Sequence, residues 1–159
     1  MGIAKTNVMR LLDKEKIPYE ITSYDISDGK IDGVAVAAKI GKAPEQVYKT
    51  LVVCGHSKNY YVFVIPVIQE LDLKKASKIV GEKNIEMLHV KDLQKVTGYI
   101  RGGCSPIGMK KQFKTYIHEA AKSQQKITFS AGKVGFQVTI APEHLSAYIN
   151  GDFADLVID

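Results

Sequence analysis

The chain has few of the residues that usually mark a metal site, a disulfide or a nucleotide. Its two cysteines, Cys54 and Cys104, stand apart with no C-x-x-C pair. No histidine spacing completes a zinc pattern around them, which argues against a zinc module or a disulfide scaffold and predicts reduced thiols. The histidines, His56, His89, His118 and His144, are scattered, none beside a motif serine or cysteine, so no catalytic triad can be argued. A Walker loop, a Gly-x-Gly-x-x-Gly after a strand and a paired histidine on a helix are all missing. Nucleotide-driven and metal-driven chemistry lose their signatures, and no cofactor and no metal are expected. No apolar leader or spanning segment is present, so the expected location is cytoplasmic, away from any membrane. The start fits a myristoylation pattern at Gly2, yet it runs straight into an amphipathic helix and lacks a basic cluster as second membrane signal.

What is present is the composition of an ordinary globular protein, 45% hydrophobic and 25% charged over 159 residues, with no low-complexity tract, internal repeat or linker. One domain covering residues 1–159 follows as the expectation. Lys plus Arg exceed Asp plus Glu by 22 to 17, a net charge of +5. That excess favours a polyanionic partner, and Arg101, Lys110, Lys111 and Lys114 gather around one glycine-rich segment; the plainer alternative is a solvated lysine face.

Periodicity predicts a first helix over residues 4–16, ended by Pro18, then a strand over 19–24 and a polar loop over 25–33. A short helix over 34–40 is closed by Gly41. Two β-branched and aromatic runs, 47–54 and 60–67, flank Gly55-His-Ser-Lys-Asn59 and read as a hairpin at the centre of the sheet. Asp72 is placed to cap a helix over 73–80 that Gly81 stops. A strand over 85–89 and a helix over 90–96 lead to a structured loop from Gly98 to Gly108. Strands over 115–118, 126–130 and 137–140 follow, then a helix over 142–149 with proline in its first turn. The tail 153–158 is an edge strand or a closing segment. This irregular alternation with a hairpin predicts an α+β fold with a mixed sheet.

Three distant segments set small or cationic residues among apolar neighbours: Val47-Tyr-Lys-Thr-Leu-Val-Val53, Gly98-Tyr-Ile-Arg-Gly-Gly-Cys-Ser-Pro-Ile-Gly108 and Ser130-Ala-Gly-Lys-Val-Gly135. Strand alternation puts Lys49 on the face it shares with Val47, Leu51 and Val53, where an unpaired ammonium is costly and calls for water, a carbonyl or an anionic ligand. It reads equally as a side chain snorkelling from a sheet edge. Amides around Gly102 and Gly103, with Ser105, Thr50 and Ser130, can furnish a polar pocket that holds a carbonyl or an oxyanion; the plainer reading of the loop is a turn that satisfies its own backbone. Cys104 has no general base or cationic helix end identifiable beside it, and reads as a small hydrophobe rather than a nucleophile. Tyr24, Tyr48 and Tyr99 are able to stack on a base or ribose, though tyrosine on a strand is commonly packing.

Together with Gln69-Glu-Leu-Asp-Leu-Lys-Lys75 and Thr97-Gly-Tyr99, these ordered motifs resemble the YbaK/EbsC family across essentially the whole chain. These are free-standing relatives of the editing domain of bacterial prolyl-tRNA synthetase. The resemblance implies a curved, barrel-like mixed sheet surrounded by helices, and a trans-editing deacylase of mischarged tRNA(Pro), with Cys-tRNA(Pro) the best-known substrate. It implies the acceptor end of tRNA as partner, and prolyl-tRNA synthetase as a candidate docking partner. It makes Lys49 the essential lysine holding the substrate's 3′ end, beside Thr50. Gly102 and Gly103 become the loop whose amides face the ester carbonyl, and Tyr24 and Ser130 position the terminal adenosine and the aminoacyl group. In this family the cysteinyl thiol itself attacks the carbonyl, so no general base is required. Gln137 stands where the family pattern often has aspartate, which leaves the edited amino acid open, and no residue from Asp28 to Asp32 is carried over. The alternatives are the same fold acting on an alanyl or another small aminoacyl ester, and a non-catalytic RNA-binding or regulatory module.

Overall fold

Local capping chemistry sets most helix boundaries. The computed structural model describes residues 4–159, so the pattern at Gly2 lies outside the described residues. Helix α1, Asn7–Lys14, starts later than its periodicity suggests because the Thr6 hydroxyl accepts from the Met9 N–H at 3.3 Å. After strand β1, Glu20–Ser23, helix α2, Gly33–Lys39, is capped by Asp32, which accepts from the Ala35 N–H at 3.2 Å. A single 3-10 turn, Pro44–Gln46, leads into the hairpin of β2, Tyr48–Gly55, and β3, Tyr60–Pro66. Helix α3, Leu73–Val80, begins as expected at Asp72, whose carboxylate accepts from Lys74 and Lys75 at 3.0 and 3.1 Å. It stops at Gly81, where φ is +77°.

The second half runs β4, Ile85–Met87, α4, Val90–Thr97, β5, Lys114–His118, β6, Ile127–Ser130, β7, Phe136–Ile140, α5, Pro142–Ile149, and β8, Asp152–Ala154. A 3-10 segment, Glu119–Ser123, that periodicity does not signal sits between β5 and β6. The tail combines both expectations: β8 is an edge strand parallel to β5, and Leu156 and Val157 beyond it close the core.

The α+β class and the mixed sheet are as predicted, with the hairpin at the centre of a five-stranded sheet ordered β4-β2-β3-β5-β8. In it β2 runs antiparallel to β3 and β4, while β5 is parallel to both β3 and β8. The sheet does not close into a barrel. A separate antiparallel sheet, β1-β7-β6, meets it through one parallel bridge among the described residues, Val47–Thr128. The reason is register: β2 pairs β3 along its length, but its other edge meets β4 only from Val53 onward. Tyr48 to Leu51 are left with one edge outside any ladder, where β2 and β6 part.

Two hydrophobic clusters fix that gap. One joins α1, α5 and the three-stranded sheet to Tyr48, Val64 and Ile117; the other packs α3 and the tail against Val53, Phe63 and Ile65. Phe129 in the first and Phe63 in the second are wholly buried. Truncating either to alanine costs about 3–5 kcal/mol.

Candidate functional site

The open edge of β2 borders a cavity of about 730 Å³. Alternation sends Lys49 and Leu51 to one side of the strand and Tyr48 and Thr50 to the other. All four line the cavity, because it wraps around the unpaired edge. Ser130 and Gln137 face it from β6 and β7, where they are cross-strand partners. Arg101, Gly102 and Cys104 enter from the glycine-rich loop, and Tyr24, Ile31, Asp32 and Val34 close the far wall.

Lys49 lacks a carboxylate partner within ion-pair distance among the described residues; its Nζ reaches only the Val67 carbonyl, at a long 3.5 Å. Burial pulls its pKa below 10.5, and the nearby charge of Glu70 opposes that pull. The hydroxyls of Tyr24, Tyr48 and Thr50 are buried without a hydrogen-bond partner, and all three residues line this one cavity. Buried polar groups in folded proteins are nearly always bonded, so three such hydroxyls beside one cavity are unusual. Burial pushes the Tyr48 phenol up to about 12, so it keeps its proton at neutral pH.

The glycine pair does two different things. Gly102 lines the cavity with φ +85°, and a Cβ on it would come within 2.8 Å of Ile31 Cδ1. Gly103 lies behind it: its N–H donates to the Ile100 carbonyl at 3.0 Å, and a Cβ would meet the Val134 amide nitrogen at 3.2 Å. Thus Gly103 lets the two glycine-containing loops touch, and its amide is already used within its own turn. Ser105 is also turned inward, wholly buried, its hydroxyl accepting from the Ile107 N–H at 3.3 Å. Lys49, Thr50, Gly102, Tyr24, Ser130 and Gln137 are brought together around one cavity, whereas Gly103 and Ser105 shape the loop behind it.

Cys104 lines the cavity, but burial pushes its thiol up to about 12, the opposite of what a nucleophile needs. Of the basic group around the loop, Lys114 is held by Asp152 at 3.0 Å. Arg101, Lys110 and Lys111 are exposed and form no ion pair with a carboxylate among the described residues. Sequence reasoning missed the wall from Ile31 to Val34, whose apolar residues look like ordinary helix packing. It also missed Tyr48 as a polar group, since nothing local says its hydroxyl stays unbonded.

A family model described as aminoacyl-tRNA editing domain matches residues 32–148. The chain is 48% identical over 152 residues, 96% of its length and 93% of the relative's, to an Enterococcus faecalis protein named "Putative Cys-tRNA(Pro)/Cys-tRNA(Cys) deacylase EbsC". Among solved structures, one described as "a putative trans-editing enzyme for prolyl tRNA synthetase" superposes with TM-score 0.83 at 21% identity, covering 99% of this chain and 100% of that one. The hypothetical protein APE2540 superposes with TM-score 0.87 at 18% identity, covering 95% and 99%. At these identities the two structures speak for the fold.

Proposed function

The chain belongs to the aminoacyl-tRNA editing domain family, and from that premise we propose that residues 1–159 form one trans-editing domain that deacylates mischarged tRNA(Pro), with the cysteinyl ester as substrate. The observation that carries this reading is Lys49, an ammonium without a carboxylate partner on the rim of a cavity whose buried hydroxyls also lack partners. A cation and a set of neutral donors suit a ligand that is anionic at one end and polar but uncharged at the other. The aminoacylated 3′ end of an RNA has that form.

In this reading Lys49 holds the phosphate at the acceptor end, with Arg101, Lys110 and Lys111 continuing the positive track. Affinity then falls as salt is added. Tyr24 and Ser130 place the terminal adenosine and the ester, Thr50 and Gln137 border the aminoacyl group, and the Gly102 amide faces the carbonyl. Gly103 and Ser105 contribute through the shape of the loop.

The chemistry needs no protein base. The cysteinyl sulfur attacks its own ester carbonyl, a carbon–sulfur bond forms, the carbon–oxygen bond to the ribose breaks, and the thiol proton ends on the ribose oxygen. A strained cyclic thioester leaves, to be opened by water. Holding the sulfur over the face of the carbonyl carbon removes several kcal/mol of barrier, and an amide donor near the carbonyl oxygen, where negative charge develops before the ribose oxygen departs, adds to that. A second hydrolytic sieve has a physical cause: small amino acids enter a proline-sized activation pocket, and one missing group is worth only about 1–3 kcal/mol of discrimination.

The macromolecular partner is the tRNA acceptor end, with prolyl-tRNA synthetase the candidate for a docked complex. The place of action is the cytoplasm; no helix of the described residues is long and apolar enough to cross a membrane. Purified protein incubated with Cys-tRNA(Pro), Ala-tRNA(Pro) and Pro-tRNA(Pro) is expected to release cysteine rapidly and spare the prolyl ester. Faster loss of alanine than cysteine would move the substrate assignment to the alanyl ester. Equal, slow decay of all three would overturn the enzyme reading in favour of an RNA-binding module.

A further inference from the structure

The loop over residues 25–31 carries part of the far wall of the cavity: Gly29 and Ile31 line it, and Asp32, Gly33 and Val34 continue the wall into α2. The loop's own hydrogen bonds are short-range. Asp25 accepts from the N–H and the hydroxyl of Ser27, Asp28 accepts from the Lys30 N–H at 3.0 Å, and the Gly29 N–H donates to the Ile26 carbonyl at 3.1 Å. Bonds of this kind shape a turn without fixing where it lies. Among the described residues, the hydrogen bonds that reach the loop from another element all come from one atom. The Nζ of Lys39, the last residue of α2, donates to the Asp25 carbonyl at 2.7 Å, the Asp28 carboxylate at 2.8 Å and the Lys30 carbonyl at 2.9 Å, which occupies all three of its protons. The same ammonium lies 6.0 Å from the ring centroid of Tyr24, another residue of that wall. Helix α2 is itself anchored, since Gly33 leaves no room for a methyl against Val67 and Ala37 packs with Val47 and Val67.

We propose that Lys39 is a positioning residue for this site: from a helix seated on β2 and β3, its ammonium sets the place of the 25–31 loop and so the width of the cavity. The contact that transmits it is Ile31, whose Cδ1 would lie 2.8 Å from a Cβ on Gly102, so that the wall and the glycine-rich loop meet there. Lys39 touches no substrate, because its donors are spent on protein oxygens. This inference rests on the deacylase reading above, in which the Gly102 amide faces the ester carbonyl. A substrate that must fold its own nucleophile onto its carbonyl depends on the walls confining it, and a wall free to move costs orientation rather than RNA affinity.

The test compares the full chain with Lys39→Met, which keeps an apolar stem and removes the donors, and with Asp28→Ala, which removes one acceptor. Backbone hydrogen exchange by mass spectrometry, affinity for uncharged tRNA(Pro), kcat and KM on Cys-tRNA(Pro), and the melting temperature are measured for each. Lys39→Met is expected to speed exchange in residues 25–34 alone and to lower kcat by about tenfold to a hundredfold, with tRNA affinity near wild type. Asp28→Ala shifts both readouts the same way by less. Wild-type exchange in the loop of Lys39→Met overturns the proposal whatever the activity. Faster exchange throughout the chain with a lowered melting temperature marks Lys39 as a general fold contact and overturns it as well. A loosened loop with unchanged kcat removes the positioning role, and a loss confined to tRNA affinity makes Lys39 an RNA contact instead. A wild type that hydrolyses no aminoacyl ester overturns the deacylase reading and the catalytic part of this inference, while the exchange rates still decide whether Lys39 holds the wall.

Discussion

Two lysines, Lys75 on helix α3 and Lys49 on strand β2, are treated in opposite ways. Lys75 on α3 donates to Asp155 at 2.9 Å, to the Val157 carbonyl at 2.7 Å and to Asp159 at 3.1 Å, fastening the tail to the body. Beside it the buried imidazole of His118 accepts from the Leu156 N–H at 3.2 Å through Nδ1. The three hydrogen bonds of the Lys75 ammonium and the one at His118 Nδ1 are all made within the chain. Lys49 on β2 has one long contact, and the hydroxyls around it have none. The difference separates polar groups bonded within the fold from polar groups that the fold leaves without partners. Unsatisfied groups are costly, so their gathering at one open strand edge is informative where a single one would not be.

Exchanging the losses breaks the comparison most directly. Lys49→Ala is expected to lower Cys-tRNA(Pro) deacylation by about a hundredfold or more, the scale of losing one preorganised polar group. The same change leaves the melting temperature level or slightly raised, since the fold holds this ammonium below its ordinary pKa. Lys75→Met should do the reverse, lowering the melting temperature while deacylation stays near wild type. Parallel deacylation and melting measurements check both; a Lys49→Ala protein that keeps its activity would remove the distinction between the two lysines. A smaller effect belongs to Gly102→Ala. The left-handed backbone costs about 1–2 kcal/mol for any other residue, and the added methyl presses on Ile31. Activity should fall by about tenfold to a hundredfold, with a fall in melting temperature that Lys49→Ala does not show.

The clasp and the pocket were also unequally legible. Asp72, Gly81 and the hairpin turn at Gly55–Asn59 are local instructions, and α3 and β2–β3 follow them closely. Alternation alone placed Lys49 correctly with Leu51, and clustering of small residues marked both glycine loops. Local pattern did not carry the split into two sheets, because that depends on where β4 and β6 stop pairing with β2, a matter of long-range register. For the same reason the wall from Ile31 to Val34 was invisible: an apolar side chain facing a cavity has the same periodicity as one facing a core. Gly103 and Ser105 were grouped with the site because they neighbour Gly102. The turn uses the Gly103 amide and the Ser105 hydroxyl for itself, which spacing does not reveal.

The mildest effect separates clasp from pocket by pH. Burial lowers the His118 pKa below 6.5, against the opposing pull of Asp155 and Glu119 and with help from the charge of Lys75. As pH drops below 6.5 the unfolded chain takes up this proton before the folded one does. Stability therefore falls through that window and levels once the folded imidazole is also charged. A urea midpoint followed from about pH 8 to about pH 5 should decline for the wild type and flatten for His118→Gln. Lys49 works at the other end. Its lowered pKa means that the folded state gives up this proton first as pH rises toward 10.5, so stability gains slightly while the pocket loses the cation that, in the proposed reading, holds its ligand. Acid should thus loosen the clasp without emptying the pocket, and alkali should weaken RNA binding without loosening the clasp. A common pH dependence for melting and tRNA affinity would show that the two regions are not the separate devices their bonding suggests.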